Sequence, residues 1–269
     1  MTMTDTLQAV PPGHYTPRQV ARSELAKIFT LRSTAITLGL AFVATLLVTG
    51  LVTNSALHHS PQYYFGFDPT QESLTGMITA ALTGGVLGAL LISSEYSSGT
   101  IRTTLAATPK RPVLLATKMA VTAALTVLFF ELLSFLSFFL GEAILSGGGA
   151  PSASLASPGA ARAVVMTGLF IALLVLMAFG FGLIFRSIAA AIAAFAGVVF
   201  VLPLVVHSIS EHAVRYLPSN ILTNSIMATV SQGPGGNQPL SPVVGLSMMV
   251  LYAAIPLAVG AVLFARRDA

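Results

Sequence analysis

The sequence lacks cysteine and tryptophan altogether, and only 8% of its 269 residues are charged. Without cysteine the chain can form no disulfide, no thiolate nucleophile and no cysteine metal site. The low charge excludes an ordinary soluble domain, in which about 25% of residues are charged. Apolar residues make up 55% of the chain instead and raise its mean hydropathy to +0.85. This composition predicts an integral membrane protein.

The sequence signatures of nucleotide-binding and hydrolytic enzymes are also missing. A phosphate-binding loop needs a lysine after a glycine, whereas Lys27, Lys110 and Lys118 follow Ala, Pro and Thr. Neither HExxH nor GxSxG occurs. His58 and His59 are adjacent, so on a regular element their side chains point apart, which disfavours a metal site. We therefore predict no enzymatic activity, no cofactor and no metal bound by this chain.

Six apolar runs are long enough to cross a bilayer, whose hydrocarbon core of about 30 Å needs about 20 helical residues. They predict an all-α, polytopic membrane domain over residues 17–267. The predicted spans are 33–53, 73–93, 119–144, 163–185, 187–207 and 243–264.

Three further segments are predicted outside the spans. Residues 1–16 are polar and contain two prolines, which is typical of a disordered tail. Over 17–32, apolar residues alternate with basic ones, which favours a helix lying in the membrane interface. In 217–230, which is too apolar for a wet loop, Pro218 is expected to open a short re-entrant helix before the last span.

The distribution of lysine and arginine predicts the orientation. Eleven of the 13 basic residues flank the spans on one side, and only Arg162 and Arg215 lie on the other. Because basic loops stay in the cytoplasm, we expect both termini and the loop 94–118 to be cytoplasmic, in a protein of the cell membrane. The net charge of +4 then reflects orientation and does not indicate nucleic-acid binding.

Small residues and threonines mark the first two spans. In the second span small residues recur every four positions, which predicts close approach by another helix; they are Gly76, Ala80, Gly84 and Gly88. The threonine rows of the two spans either pack statically or line a polar seam for a substrate or a second subunit. They include Thr37, Thr45, Thr79 and Thr83.

Glu131 lies about half-way along the third span. A carboxylate at that depth costs about 2.5 kcal/mol or more unless it is paired or faces water. Two interpretations stay open. Glu131 faces a substrate path or a subunit seam, or it is a hydrogen-bonded glutamate that orders helix packing.

The loop 94–118 is the longest polar and basic passage between two apolar runs. Gly99 is expected to break the second span, and Thr100 to cap a short helix over 101–107. Ile101 and Leu105, one turn apart, form an apolar pair on that helix. The alternative is a basic loop that rests on anionic lipid headgroups.

At this loop the sequence resembles the permeases of ATP-binding cassette (ABC) type-2 transporters, in the branch with one six-helix half-transporter per chain. The similarity extends over about residues 17–267, with the interfacial helix and re-entrant segment as further shared features. The residues that carry it are Glu95, Tyr96, Gly99, Thr100, Ile101, Arg102, Leu105, Pro109, Arg111, Leu115 and Lys118.

The resemblance implies a type-2 exporter fold in which two permeases pair, this chain with a second copy or a related chain. Each permease would receive a separate cytosolic ATPase subunit that binds ATP and Mg. The loop 94–118 would be the coupling helix that docks on this ATPase, and the remaining contacts would be with membrane lipid. Two alternatives stay open: a sensor or immunity subunit on the same scaffold that moves no substrate, and a gradient-driven transporter that uses Glu131.

Overall fold

The computed structural model describes residues 17–59, 61–107, 111–228 and 240–266, and every regular element in these ranges is helical. The predicted tail 1–16 lies outside the described residues. The α-helices are α1 (Pro17–Thr30), α2 (Arg32–Ala56), α3 (Pro69–Leu74), α4 (Met77–Ser97), α5 (Thr100–Ala107), α6 (Arg111–Gly147), α7 (Ala160–Phe185), α8 (Ile188–Ala196), α9 (Leu202–Ile209), α10 (Glu211–Val214), α11 (Pro218–Ser225) and α12 (Pro242–Arg266).

For the described residues, the prediction of an all-helical fold with six segments suited to crossing a membrane is confirmed. Six helical segments are long and apolar enough to cross a membrane. Most extend beyond the predicted limits, and α6 does so most, with 37 residues. At 1.5 Å per residue it is about 55 Å long, well beyond the hydrocarbon core of about 30 Å. The spans are Arg32–Ala56, Pro69–Ser97, Arg111–Gly147, Ala160–Phe185, Ile188–Ile209 and Pro242–Arg266.

Successive spans run in opposite directions, so the short helices collect at two ends of the bundle. Helices α1 and α5 lie at the end where α2, α6 and α8 begin, which we call the basic end. Helix α3 and helices α10 and α11 lie at the opposite end. Helix α1 packs against α6 and α2, and its predicted helical structure is confirmed.

Helix α7 is the centre of the bundle and packs most extensively on α12, α4 and α6. Glycine makes these contacts possible. A Cβ on Gly88 would collide with the backbone carbonyl of Val175, and one on Gly180 would lie 2.7 Å from the backbone nitrogen of Leu257. The close approach predicted for the small residues of the second span is therefore confirmed, with α7 as the partner at Gly84 and Gly88 and α2 as the partner at Gly76.

The fifth span is interrupted, which sequence reasoning did not predict. Between α8 and α9 the chain forms a π-helical turn, Gly197–Val201. Pro203 follows in the first turn of α9. Proline has no N–H to donate and its ring clashes with the carbonyl four residues back, and a widened turn removes both conflicts. Before this span Arg186 adopts φ 54° and forms the turn between α7 and α8.

A short helix is present before the last span, as predicted from Pro218. This helix, α11, packs against α7 and α12. The Thr167 and Ser225 hydroxyl oxygens lie 3.3 Å apart, joining α7 to α11. The Arg162 guanidinium donates to the carbonyl of Met227 at 2.7 Å. These contacts hold α11 against the opposite end of the bundle.

Candidate functional site

The backbone turns sharply where α4 gives way to α5. Gly99 has φ +71°, in the left-handed region, where a residue with a Cβ is strained by about 1–2 kcal/mol. No atom lies within 4 Å of the position that a Cβ would take there. Glycine is therefore needed at position 99 for its left-handed backbone conformation and not because space is lacking. This conformation lets α5 fold across the basic end.

Helix α5 turns its apolar side towards the protein. Ile101 is only 3% exposed and belongs to the core cluster that includes Val20 and Ile28 of α1. Thr100 and Thr103 are exposed, and Thr104 is partly buried. The predicted helix is confirmed, and Ile101 of its apolar pair lies in the core. Of the side chains that the structure describes on α5, the exposed ones are threonines.

Four charged side chains meet beneath α5. The Lys118 ammonium donates to a carboxylate oxygen of Glu24 and, at 2.7 Å, to Glu95. The Lys27 ammonium donates to Glu24 at 2.8 Å and to Glu95 at 3.2 Å. We call Glu24, Lys27, Glu95 and Lys118 the charge cluster.

The charge cluster is neutral and mostly buried. The side chains of Glu24, Lys118 and Glu95 are 3%, 6% and 9% exposed, and that of Lys27 is 36% exposed. Buried ions are tolerated when they are paired and hydrogen-bonded. Two carboxylates shared between two ammonium groups meet that condition.

The charges in the cluster shift the pKa of both α1 residues. Burial raises the pKa of Glu24, but the charge and hydrogen bonds of Lys118, with those of Lys27, outweigh it and lower the pKa below 4.5. Burial lowers the pKa of Lys27, but its bonds with Glu24 and Glu95 outweigh it and raise the pKa above 10.5. Glu24 therefore stabilises the fold until the pH falls through its lowered pKa, and Lys27 until the pH rises through its raised one.

The charge cluster ties four helices together at the basic end. Glu24 and Lys27 belong to α1, Glu95 to α4 and Lys118 to α6. Lys27 also donates to the Thr104 hydroxyl of α5 at 3.3 Å. A displacement of α5 would therefore reach α1, α4 and α6 through bonded side chains.

Two further contacts connect the helices around the charge cluster to the turn after α7 and to the end of α12. The Arg186 guanidinium lies 5.1 Å from the centre of the Tyr96 ring, in a cation–π contact between the turn after α7 and the end of α4. Arg111 reaches the carbonyl of Ala265 near the end of α12. Residues of α4, α6 and α12, together with the turn after α7, thus take part in these contacts of the basic end.

Of the predicted coupling residues, Tyr96 and Arg111 are half-buried, and the others fall into three groups. Gly99 and Thr100 are exposed, whereas Glu95, Ile101 and Lys118 are buried below α5. Pro109 and the side chains of Arg102 and Leu105 lie outside the described residues. Glu24 and Lys27 were not among the predicted site residues. The available signal was that Glu24 is the single acidic residue of α1 and lies three positions before Lys27.

Glu131 lies at the contact of α6 with α7. A Cβ on Gly168 would lie 2.9 Å from its carboxylate oxygen Oε2. The backbone N–H of Leu169 hydrogen-bonds the same carboxylate. Both contacts are with the neighbouring helix, which supports the interpretation of Glu131 as a packing residue.

The predicted threonine rows mostly bond to their own helices. The hydroxyls of Thr37, Thr79 and Thr83 donate to carbonyls three or four residues earlier, at 2.8, 2.5 and 3.2 Å. Thr45 is fully buried, and its hydroxyl has no hydrogen-bond partner in the part of the chain that the structure describes. These contacts support static packing over a continuous polar seam.

A second polar junction, not predicted, lies towards the opposite end. The Thr49 and Ser137 hydroxyls are 2.6 Å apart, and Ser137 donates to the Ser73 carbonyl at 2.9 Å. The Ser73 hydroxyl donates to Glu142 at 3.2 Å, and Glu142 also accepts from the backbone of Ala153 at 2.6 Å. This network links α2, α3 and α6 and satisfies a carboxylate near the end of α6.

A comparison with protein families shows to which family the chain belongs. Residues 69–269, about three quarters of it, match the family described as a protein of unknown function, DUF2705. The chain belongs to the DUF2705 family. The matched part includes Glu95, Lys118 and all of α5, whereas Glu24 and Lys27 precede it. A comparison with curated proteins finds no match.

The DUF2705 description states no activity, so the chemistry of the site is the guide to function. Within the described ranges, no three side chains of His, Asp or Glu gather in a way that could hold a metal ion. What this DUF2705 protein does have is a short helix, α5, with exposed threonines and with Thr104 accepting a hydrogen bond from the charge cluster, which joins α1 to two spans.

Proposed function

We propose that this chain is the permease subunit of an ATP-driven exporter, and that it docks on a separate ATPase subunit through the loop 94–118. The observation that carries the proposal is the charge cluster, which joins α1, α4 and α6 and reaches α5 through the hydrogen bond from Lys27 to Thr104. The sequence contains no phosphate-binding loop, so ATP and Mg would be bound by the partner. A second copy or a related permease would complete the transporter.

The contacts suggest how force would pass from the partner to the spans. Closure of the ATPase on ATP would press on the exposed side of α5, around Thr100 and Thr103. Because Lys27 bonds both Thr104 and Glu95, the push would reach α4. Lys118 would carry it into α6. The spans would then move as a unit at the basic end, which is what a change of access on one side of the membrane requires.

The proposal includes an orientation, with α5 and both termini in the cytoplasm of a cell-membrane protein. The cysteine-free sequence allows a direct test, because a single introduced cysteine is the only thiol. Thr103 on α5 and Thr223 on α11 are both exposed threonines of eight-residue helices at opposite ends. In intact cells, a membrane-impermeant maleimide is expected to label Thr223→Cys and to label Thr103→Cys only after permeabilisation. The reverse pattern would overturn the orientation.

The same variants test docking. A photoreactive maleimide attached to Thr103→Cys in native cells is expected to cross-link a cytosolic protein that carries a GxxxxGK[ST] phosphate loop, identified by mass spectrometry. Thr223→Cys, with the same reagent, is expected to give no such product. An ATPase captured equally from both positions, or from neither, would contradict docking at α5.

The alternatives predict different results in reconstituted vesicles. A permease moves substrate only when the captured ATPase and ATP are present. A sensor subunit would bind the ATPase without any movement of substrate. A gradient-driven transporter using Glu131 would work without ATP, and the contacts of that carboxylate with Leu169 and Gly168 give this alternative less support.

A further inference from the structure

A long apolar groove lies between α1 and α6 at the basic end. Its volume is about 750 Å³, within the range of about 300–1,000 Å³ that is typical of small-molecule sites. Arg18, Ala21 and Leu25 of α1 form one wall. Ala120, Ala124 and Leu128 are among the residues of α6 that form the other.

The groove has the length of one membrane leaflet. Its α6 wall runs from Ala116 to Leu128, a rise of about 18 Å along a helix. Half of a hydrocarbon core measures about 15 Å. Because α6 spans the membrane and its first turns project from the basic end, the groove extends from the interface towards the bilayer centre.

The groove is apolar apart from a single charged residue. The α6 side is made of alanine, valine and leucine with one threonine, and the charged residue of the groove is Arg18 on α1. Arg18 is exposed. A guanidinium has the geometry to bind phosphate through two hydrogen bonds. An apolar protein helix seated here would offer that charge no counter-ion, whereas an anionic phospholipid supplies one.

We propose that the groove binds an anionic phospholipid, with an acyl chain along α6 and the phosphate at Arg18. The site is independent of the exporter proposal, because it needs neither the ATPase nor transport. It also gives α1 a second support beside the charge cluster. Lipid bound there would hold Arg18, Ala21 and Leu25 against α6 on the side away from Glu24.

The test uses the full-length chain, purified in detergent and titrated with phosphatidylglycerol or phosphatidylcholine under native mass spectrometry. The unaltered chain is expected to retain one phosphatidylglycerol in preference to phosphatidylcholine. Arg18→Gln is expected to weaken phosphatidylglycerol binding about tenfold, the effect of losing a hydrogen bond to a charged group. Arg22→Gln is the matched control, because Arg22 is exposed on the same helix but does not line the groove.

A second pair of variants tests the groove itself. Ala120 is exposed within it, so Ala120→Phe fills the space without disturbing the core and is expected to abolish retention of either lipid. Ala143→Phe, at an exposed position near the other end of α6, is expected to bind phosphatidylglycerol as the unaltered chain does. Equal losses for Arg18→Gln and Arg22→Gln would indicate general attraction to basic charge and overturn the proposal. Unchanged lipid binding in Ala120→Phe would also overturn the proposal. A change of Ala120→Phe from dimer to monomer would overturn it as well, because the groove would then be the contact with a second copy.

Discussion

Replacing Lys118 with methionine is expected to lower the free energy of unfolding by about 3–5 kcal/mol, the usual cost of breaking a buried ion pair from one side. Methionine preserves length and packing but removes the ammonium that bonds both Glu24 and Glu95. These carboxylates, 3% and 9% exposed, would then share Lys27 alone. The cluster would change from neutral to singly negative in a place that water barely reaches. Reversible unfolding in mixed micelles with increasing dodecyl sulfate measures the change.

Two variants make this experiment specific to the charge cluster. Lys27→Met removes an ammonium that bonds the same two glutamates but is 36% exposed, so water can replace part of its role and the loss is expected to be smaller. The double variant Lys118→Met/Glu95→Gln restores neutrality and is expected to recover much of the stability lost in Lys118→Met. If the double variant were as unstable as the sum of its single variants, the cluster would not be acting as one electrostatic unit.

Replacing Gly88 with alanine is expected to destabilise the bundle by about 1–3 kcal/mol, the usual cost of overpacking a close contact. The added Cβ would meet the backbone carbonyl of Val175 and would lie 3.0 Å from the Cβ of Ala178. A carbonyl in the middle of α7 cannot rotate away, so α4 and α7 must separate. Since α7 is the central helix, the change would also loosen its packing elsewhere.

The matched control is the same substitution in an open position of another span. Gly39 of α2 has no atom within 4 Å of the place for a Cβ. Gly39→Ala is therefore expected to be neutral or to stabilise by up to about 1 kcal/mol, through the better helix propensity of alanine. The same micelle titration measures both variants. A destabilisation of equal size at Gly39 would show that backbone flexibility, and not the α4–α7 contact, explains the result at Gly88.

These two experiments also bear on how movement would reach the spans. If α5 transmits force from a partner, the link must be stiff, and stiffness here comes from paired charges and from close helix contacts. At low denaturant concentrations, where the Lys118→Met variant still folds, it is expected to bind the partner through α5. It is expected to transmit the closure of that partner poorly. Gly88→Ala should disturb the contact of α4 with the centre of the bundle while leaving the α5 surface intact.

The six spans could be predicted from the sequence because hydrocarbon imposes a local requirement. A segment that crosses it needs about 20 apolar residues and satisfies its backbone as a helix, and both conditions can be read from consecutive residues. The short helices at Thr100 and Pro218 were predictable for a similar reason, since caps and prolines act within one turn. The π-helical turn Gly197–Val201 was not predicted. A helix can accommodate Pro203 with several different backbone geometries, and the surrounding packing selects one of them.

The candidate site was predictable only in part. Glu95 and Lys118 were predicted from the motif as residues that couple to an ATPase, and the structure buries both beneath α5. Nothing in the motif specifies which side of α5 faces the protein, because an apolar pair such as Ile101 and Leu105 suits either a core or a docking surface. The burial of Ile101 decided the question for that residue.

The sequence by itself determined that this chain is helical, that six of its segments are long and apolar enough to cross a membrane, and that it contains no phosphate-binding loop of its own. Composition, run length and motif order are properties of neighbouring residues and need no knowledge of the fold. Only the tertiary structure decided that Glu24, Lys27, Glu95 and Lys118 form one neutral cluster. Glu24 and Lys118 are 94 positions apart, and their charges meet because α1, α4 and α6 pack at one end of the bundle. Pairing across such a distance depends on where helices cross, which no local pattern records.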